Sequence, residues 1–426
     1  MADNHYPSPD SIHRRVLDNG ITVLAYENFA AELVVIEGLA RAGALAEGRE
    51  KAGLAAFTAE CLLRGTRQRT FEQIYEELES VGADLDFSGG RHATDFSGSA
   101  LVEDFDLLLK LLAESLRYPT FPAGQVEQVR GQILTGLQMR ANDTRRMAGL
   151  AFRELLYGDH PYGYSADGYV ETIRAIGRDE LAQFHADYYG PQGMIITVVG
   201  AVKAEEALAR VEAAFGDWLQ AEQKTLPTVP PAARPPELAR RVVPMPGKTQ
   251  TDVVLGLPGP LRSAPDYQEA RLMNTILGVF GMMGRLGDTV REKQGLAYYV
   301  HSQLQGGLGP SPWTVSTGVA PDKVEQAIQS ILQEIGRMQD ELVPEEELAD
   351  SQAFLTGSLP VSLETNEGLA SVLTDVELYE LGLDYLQRYP GMIQAITPAQ
   401  VQAVARKYLS ASQLAIAIAG PTMNHE

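Results

Sequence analysis

Seven histidines, one cysteine and 56 carboxylates are the side chains in this sequence that could hold a metal ion. A ligand set on a helix needs residues three or four apart, because only those positions share a face. His5, His13, His92, His160, His185, His301 and His425 show no such pairing. Cys61 is the single cysteine, which excludes an intramolecular disulfide framework and a cysteine-based zinc site. Glu60 is a possible oxygen ligand, but Cys61, one residue on, lies on a different helix face. Other chemistries leave less trace. Gly306-Gly307-Leu308-Gly309-Pro310 lacks the Lys-Ser/Thr of a phosphate loop and reads as a hairpin turn. No serine sits in a nucleophile-elbow pattern. Glu345, Glu346 and Glu347 follow Pro344 and fit the first turn of a helix, where acidic groups suit the dipole.

The elements that would position these groups follow from local pattern. Asn19-Gly20 stands between Arg15–Leu17 and the alternating Ile21–Tyr26, a hairpin signal. Leu33–Ala42 reads as a strand, and Asp86–Ser99 as strand–turn–strand around Gly89-Gly90. Phe71, Ile74, Tyr75, Leu78 and Val81 recur at helical spacing, with Gly82 as the stop. Helical patterns cover Asp104–Leu116, Gly124–Met139 and Arg145–Tyr157. Hairpin-linked strands with many helices predict an α+β fold with mostly antiparallel sheets.

Pro227, Pro230, Pro231, Pro235 and Pro236 fall within ten residues, a stiff, extended linker. The halves on either side resemble each other. Ile173, Ala175, Ile176, Leu181, Tyr188, Ile196, Val198 and Gly200 recur as Ile393, Ala395, Ile396, Val401, Tyr408, Ile416, Ile418 and Gly420, each pair 220 residues apart. Fixed register over eight positions predicts an internal duplication. The expected division is residues 1–222, a linker at 223–239, and residues 240–426.

Composition narrows the function. The 56 acidic and 35 basic residues give a net charge of −21, which argues against nucleic acid or anionic membrane as main partners. Residues 1–10 have no apolar core of a secretory signal, and apolar stretches such as Met194–Val202 are too short to span a bilayer. A cytoplasmic location is expected.

The run from Gly53-Leu54-Ala55 through Glu60 to Gly65-Thr66 resembles the signature of the pitrilysin/insulinase metallopeptidases, where G-L-A precedes H-x-x-E-H and G-T follows. In that family the two histidines bind zinc, the glutamate between them activates water, and a downstream glutamate is the third ligand. At those positions stand Ala56, Ala59 and Glu60, and counting to the third ligand reaches Gly136. The resemblance therefore implies a degenerate site that binds no zinc. His160-Pro161-Tyr162-Gly163 resembles a family loop of structural role.

A second run resembles the family in the other half. Gly281-Met282-Met283-Gly284-Arg285-Leu286, then Val290-Arg291-Glu292-Lys293-Gln294-Gly295-Leu296-Ala297-Tyr298, is similar to its glycine-rich approach, S-R-L and R-E-K-x-G-L-A-Y, with Gly284 in place of the serine. The resemblance gives Arg291 and Tyr298 the role of holding the scissile carbonyl of a peptide. Guanidinium and phenol are hydrogen-bond donors suited to a developing oxyanion, and Gly295 ends the helix between them. Taken together, the resemblance implies two homologous α+β domains forming half of a clam-like chamber. It also implies a non-catalytic subunit that pairs with a zinc-bearing paralogue and a peptide substrate, zinc being the partner's. A purely structural or peptide-binding scaffold, or a homodimeric chamber, is the alternative.

Overall fold

A computed structural model of the chain describes residues 6–279 and 284–421. The Gly281-Met282-Met283 approach, His5 and His425 lie outside the described residues. Among the described residues eleven strands form two sheets. The first orders β1 (Ile12–Val16), β2 (Thr22–Glu27), β6 (Ile195–Gly200), β3 (Leu33–Ala40), β5 (Thr94–Leu101) and β4 (Asp84–Gly89) as β1-β2-β6-β3-β5-β4. The second orders β7 (Ala239–Pro244), β11 (Ala415–Gly420), β8 (Thr251–Pro258), β10 (Pro312–Val319) and β9 (Ala297–Leu304) as β7-β11-β8-β10-β9.

Apart from β1, the sheets share one connectivity. In each, one parallel pair (β2–β6, β7–β11) is followed by antiparallel neighbours only. The matched strands β6 and β11 hold the same place, so the duplication seen in the sequence is a duplication of topology. The Asn19-Gly20 hairpin forms as expected: Gly20 takes φ +94°, and Asn19 Nδ2 donates to the carbonyls of Phe215 (2.7 Å) and Trp218 (3.2 Å). The helix Phe71–Ser80 carries a capping box from Thr70 and Gln73, and Gly82 follows at φ +65°. Residues 219–236, with the proline cluster, form neither helix nor strand.

The compact units are not the linear halves. One takes the chain up to Gly136, Ser165–Thr228 and Leu359–Gln387; the other takes Leu137–Tyr164, Val229–Ser358 and the chain from Arg388 on. Each unit therefore borrows a helix from the other half of the sequence. In the first, Val23, Ala25, Val34, Ile36, Ile196 and Val198 face a core shared with the helices Phe105–Arg117 and Ala204–Phe215. The opposite face of β3 and β6 is covered by the borrowed helix Asn366–Leu378, fixed by Thr197–Thr374 (2.7 Å) and Asn28–Asn366 (2.7 Å). In the second, the borrowed helix Thr144–Tyr157 lies on β7, β8 and β11. Burial of a Leu, Ile or Val side chain contributes about 1.5–3 kcal/mol, so each sheet depends on its borrowed cover.

Candidate functional site

The segment resembling a zinc signature forms the helix Leu54–Glu60. Its start is rigidly built. Gly53 adopts φ +97°, and a Cβ there would lie 2.7 Å from Ile173 Cδ1, so only glycine fits. The buried Glu47 carboxylate accepts the N–H groups of Gly53 (2.8 Å) and Ala55 (2.7 Å), one on each oxygen. Burial pushes this acid up to about 8, against the pull of those N–H groups and of Arg91. Nothing in the sequence marks Glu47 for this role.

Ala56, Ala59 and Glu60 lie on one helix face, as the spacing requires. Gly89, at the end of the edge strand β4, meets Ala56 so closely that a Cβ would stand 2.5 Å from Ala56 Cα. Ala59 is 1% exposed and belongs to the core, whereas Glu60 is exposed. Partial burial of its carboxyl and repulsion from Asp86 raise the Glu60 pKa. Gly136 lies on the helix Ala123–Ala141, exposed, with nothing within 4 Å of where its Cβ would be. That helix runs beside the signature helix: Arg130 stacks over Phe57 at 5.2 Å, and Arg64 donates to Gln132 at 3.3 Å.

Only Glu60 of these four residues has a side chain able to ligate. Among the described residues no group of three or more His, Cys, Asp or Glu is placed to hold a metal ion. Cys61 is buried and its thiol is pushed up to about 12, chiefly by that burial, so it does not supply a thiolate. The residues present do not fit a catalytic zinc, which needs three protein ligands and an open position.

The Arg291 segment is built differently. Gly287–Lys293 is π-helical, a rare geometry that concentrates at functional positions. Val290, fully buried, and the Thr289–Glu334 (3.0 Å) and Gln294–Ser330 (2.8 Å) hydrogen bonds anchor it. Arg291 is exposed, its Nε 3.6 Å from Glu292. Gly295 turns the chain at φ +61°, with its N–H on the Arg291 carbonyl and that of Leu296 on Val290 (both 3.0 Å).

Three residues past Gly295 is Tyr298, on the edge strand β9 and 63% exposed. Its hydroxyl has no hydrogen-bond partner among the described residues. Tyr299 pairs with Gly318, but Ala297 pairs with Val319, so Tyr298 is the extra residue of a β-bulge. A bulge re-aims a side chain and is enriched beside active sites. The structure thus places Arg291 and Tyr298 on two packed elements, both turned to solvent. By contrast Arg285, six residues before Arg291, is 9% exposed and makes a bidentate ion pair with Glu347 (2.8 and 2.7 Å). It is a packing residue. Glu345, Glu346 and Glu347 open the helix Glu345–Ser362, and residues 306–310 connect β9 to β10, both as expected. His160 bonds Pro230 and Tyr162 and shapes its own loop.

Comparison with known proteins bears on both regions. The family model for insulinase, peptidase family M16, matches residues 24–168, and that for the peptidase M16 inactive domain matches residues 175–355. An uncharacterized zinc protease of Mycobacterium leprae is 27% identical over 415 residues, covering 96% of this chain and 91% of its own. One of Bacillus subtilis is 24% identical, covering 97% and 99%. The crystal structure of a peptidase M16 inactive domain from Pseudomonas fluorescens superimposes with a TM-score of 0.89 at 27% identity, covering 97% of this chain and 99% of that one. A protease from Helicobacter pylori shares the fold at a TM-score of 0.90 and 19% identity, covering 98% and 100%. No helix among the described residues is long and apolar enough to cross a membrane. The chain belongs to the pitrilysin/insulinase (M16) peptidase family, as an inactive member.

Proposed function

We propose that this chain is the non-catalytic subunit of a heterodimeric zinc metallopeptidase, supplying Arg291 and Tyr298 to a peptide cleaved at its partner's metal site. The observation that carries this reading is the asymmetry of the two regions. The signature helix offers one possible ligand, Glu60, whereas Arg291 and Tyr298 are both exposed on special backbone geometry. Two donors directed at one oxygen stabilise the charge that develops on a scissile carbonyl as water adds to it. Neither donor gives up its proton, so the same pair serves every turnover. Metal, general base and water belong to the partner.

A scaffold without a role in proteolysis is the second reading, and the packed, ligand-free face at Ala56 and Ala59 is what favours it. The test is purification of the chain from its native source, followed by recombination with any co-purifying zinc-bearing paralogue. The proposal expects peptide hydrolysis by the pair and by neither chain alone. A paralogue that matches the rate of the mixture by itself contradicts it.

A further inference from the structure

The bulge that carries Tyr298 has to be held in place, because β9 is an edge strand bonded on one side only. Edge register is weakly specified unless side chains fix it, and a slip of one residue turns every side chain to the other face. Here the residue immediately after the bulge is tied down. Asp252 on β8, Gly318 on β10 and Tyr299 on β9 lie opposite one another in a single row across three strands. Gly318 has no side chain, so the Tyr299 ring crosses over it and its hydroxyl donates to Asp252 Oδ1 at 2.5 Å. A Cβ on Gly318 would stand 2.5 Å from Tyr299 Cε1 and 2.6 Å from Gln250 Nε2.

Asp252 is 1% exposed and is held from several sides. Thr144, at the start of the borrowed helix, donates to Oδ2 at 2.5 Å, and Gln250 donates to both oxygens at 3.1 and 3.2 Å. The Arg145 guanidinium lies 4.9 Å from the centre of the Tyr299 ring on that ring's face. A buried carboxylate with this many donors is a fixed point, since loss of a partner leaves charge or polar groups unsatisfied.

We infer that Tyr299 and Asp252 form a latch that fixes the bulge and so determines where the Tyr298 hydroxyl stands. They are positioning residues, not catalytic ones, for the peptide-bond hydrolysis proposed above, on which the catalytic side of this inference rests. The latch reaches from the central strand of the sheet to its edge, and it acts one residue beyond the point where the register shifts. Tyr299 is the hinge between a rigid interior and an exposed donor.

The test uses Tyr299→Phe, which removes one oxygen, and Thr144→Val, which removes another donor to the same carboxylate without touching β9. Crystal structures of the full chain carrying each variant are compared first. Tyr299→Phe is expected to move the Tyr298 hydroxyl by about 1 Å or more, or to erase the bulge, while Thr144→Val leaves both in place. In the active pair, Tyr299→Phe should lower kcat by roughly 10- to 100-fold, the order expected for a misplacement of that size, with little change in KM. In a Tyr298→Phe background the same substitution should then have almost no effect, whereas Thr144→Val should lower only Tm in either background. A Tyr298 that superimposes on the wild type in the Tyr299→Phe structure overturns the latch. So does an equal loss of kcat with and without the Tyr298 hydroxyl. If Tyr298→Phe alone turns over at the wild-type rate, the clamp role fails instead, and the structural arm still decides whether the latch sets the tyrosine's position.

Discussion

The signature helix of the first unit and the Arg291–Tyr298 segment of the second sit on sheets of one strand order, yet they are finished in opposite ways. Around Leu54–Glu60, apart from the exposed Glu60, the contacts are those of close packing. Gly53 and Gly89 permit close contact, Glu47 seals the first backbone N–H groups, and Ala59 is part of the core. Around Gly287–Tyr298 the buried Val290 and the hydrogen bonds of Thr289 to Glu334 and of Gln294 to Ser330 anchor a segment whose Arg291 and Tyr298 side chains are exposed. One region is packing, and the other leaves two hydrogen-bond donors exposed. The lesson is that a fold's frame and its chemistry separate cleanly: substitutions in the first region should read out as stability, and those in the second as turnover.

The largest expected effect is at Arg291. In the active pair, Arg291→Ala should lower turnover on the order of 10²–10³-fold, about 3–4 kcal/mol in the barrier, with the Tm of the chain unchanged. A parallel Arg285→Ala variant, which breaks the ion pair with Glu347, should instead lower Tm. If the two exchanged behaviour, the comparison would break.

The next effect belongs to the first unit and appears as pH dependence. His185 Nε2–H donates to the Leu116 carbonyl at 2.8 Å. Burial pushes its pKa down to about 4, with Arg67 adding to the shift. An unfolded histidine titrates near 6.5, so this contribution is intact above pH 6.5 and is lost as pH falls toward 4. The full loss is about 3 kcal/mol. Urea midpoints measured between pH 7 and pH 4 should fall less steeply for His185→Gln than for the wild type. Identical slopes would remove His185 from the account.

A smaller effect is expected at Glu47. Its replacement by alanine leaves the N–H groups of Gly53 and Ala55 without their acceptor and should cost about 2 kcal/mol, read as a lower denaturation midpoint. The active pair formed with this variant should keep its kcat wherever the chain is folded. The smallest effect is at Gly136, expected from the resemblance to match the third ligand and exposed to solvent in mid-helix. Gly136→Ala should raise stability by about 1 kcal/mol through helix propensity alone, with no change in activity. A loss of activity there would mean that the position still takes part in chemistry.

Much of this was legible in the chain itself. The hairpin at Asn19-Gly20, the capped helix ending before Gly82, the duplication at a spacing of 220 and the altered signature all depend on residues close in sequence or in fixed register. The exchange of helices was not legible. An apolar stripe says that Thr144–Tyr157 and Asn366–Leu378 must bury a face, but not which sheet receives it. Nor did the sequence disclose the π-helical turn or the bulge at Tyr298. Both arise from contacts between distant strands, and Asp252, Gly318 and Tyr299 become a row only after β8, β10 and β9 have paired. Glu47 was silent for the same reason: a lone glutamate six residues before a glycine is an ordinary surface pattern until the loop closes on it.

The measurement that bears most directly on the central claim is the turnover of the chain–partner pair carrying both Arg291→Ala and Tyr298→Phe, with zinc content and subunit association checked in the same preparation. The account predicts an intact, zinc-loaded pair whose kcat is lower by at least the effect of Arg291→Ala alone, and by less than the product of the two single effects, because both groups hold one oxygen. A double variant that hydrolyses peptide at the wild-type rate would show that this chain contributes no donor to the reaction.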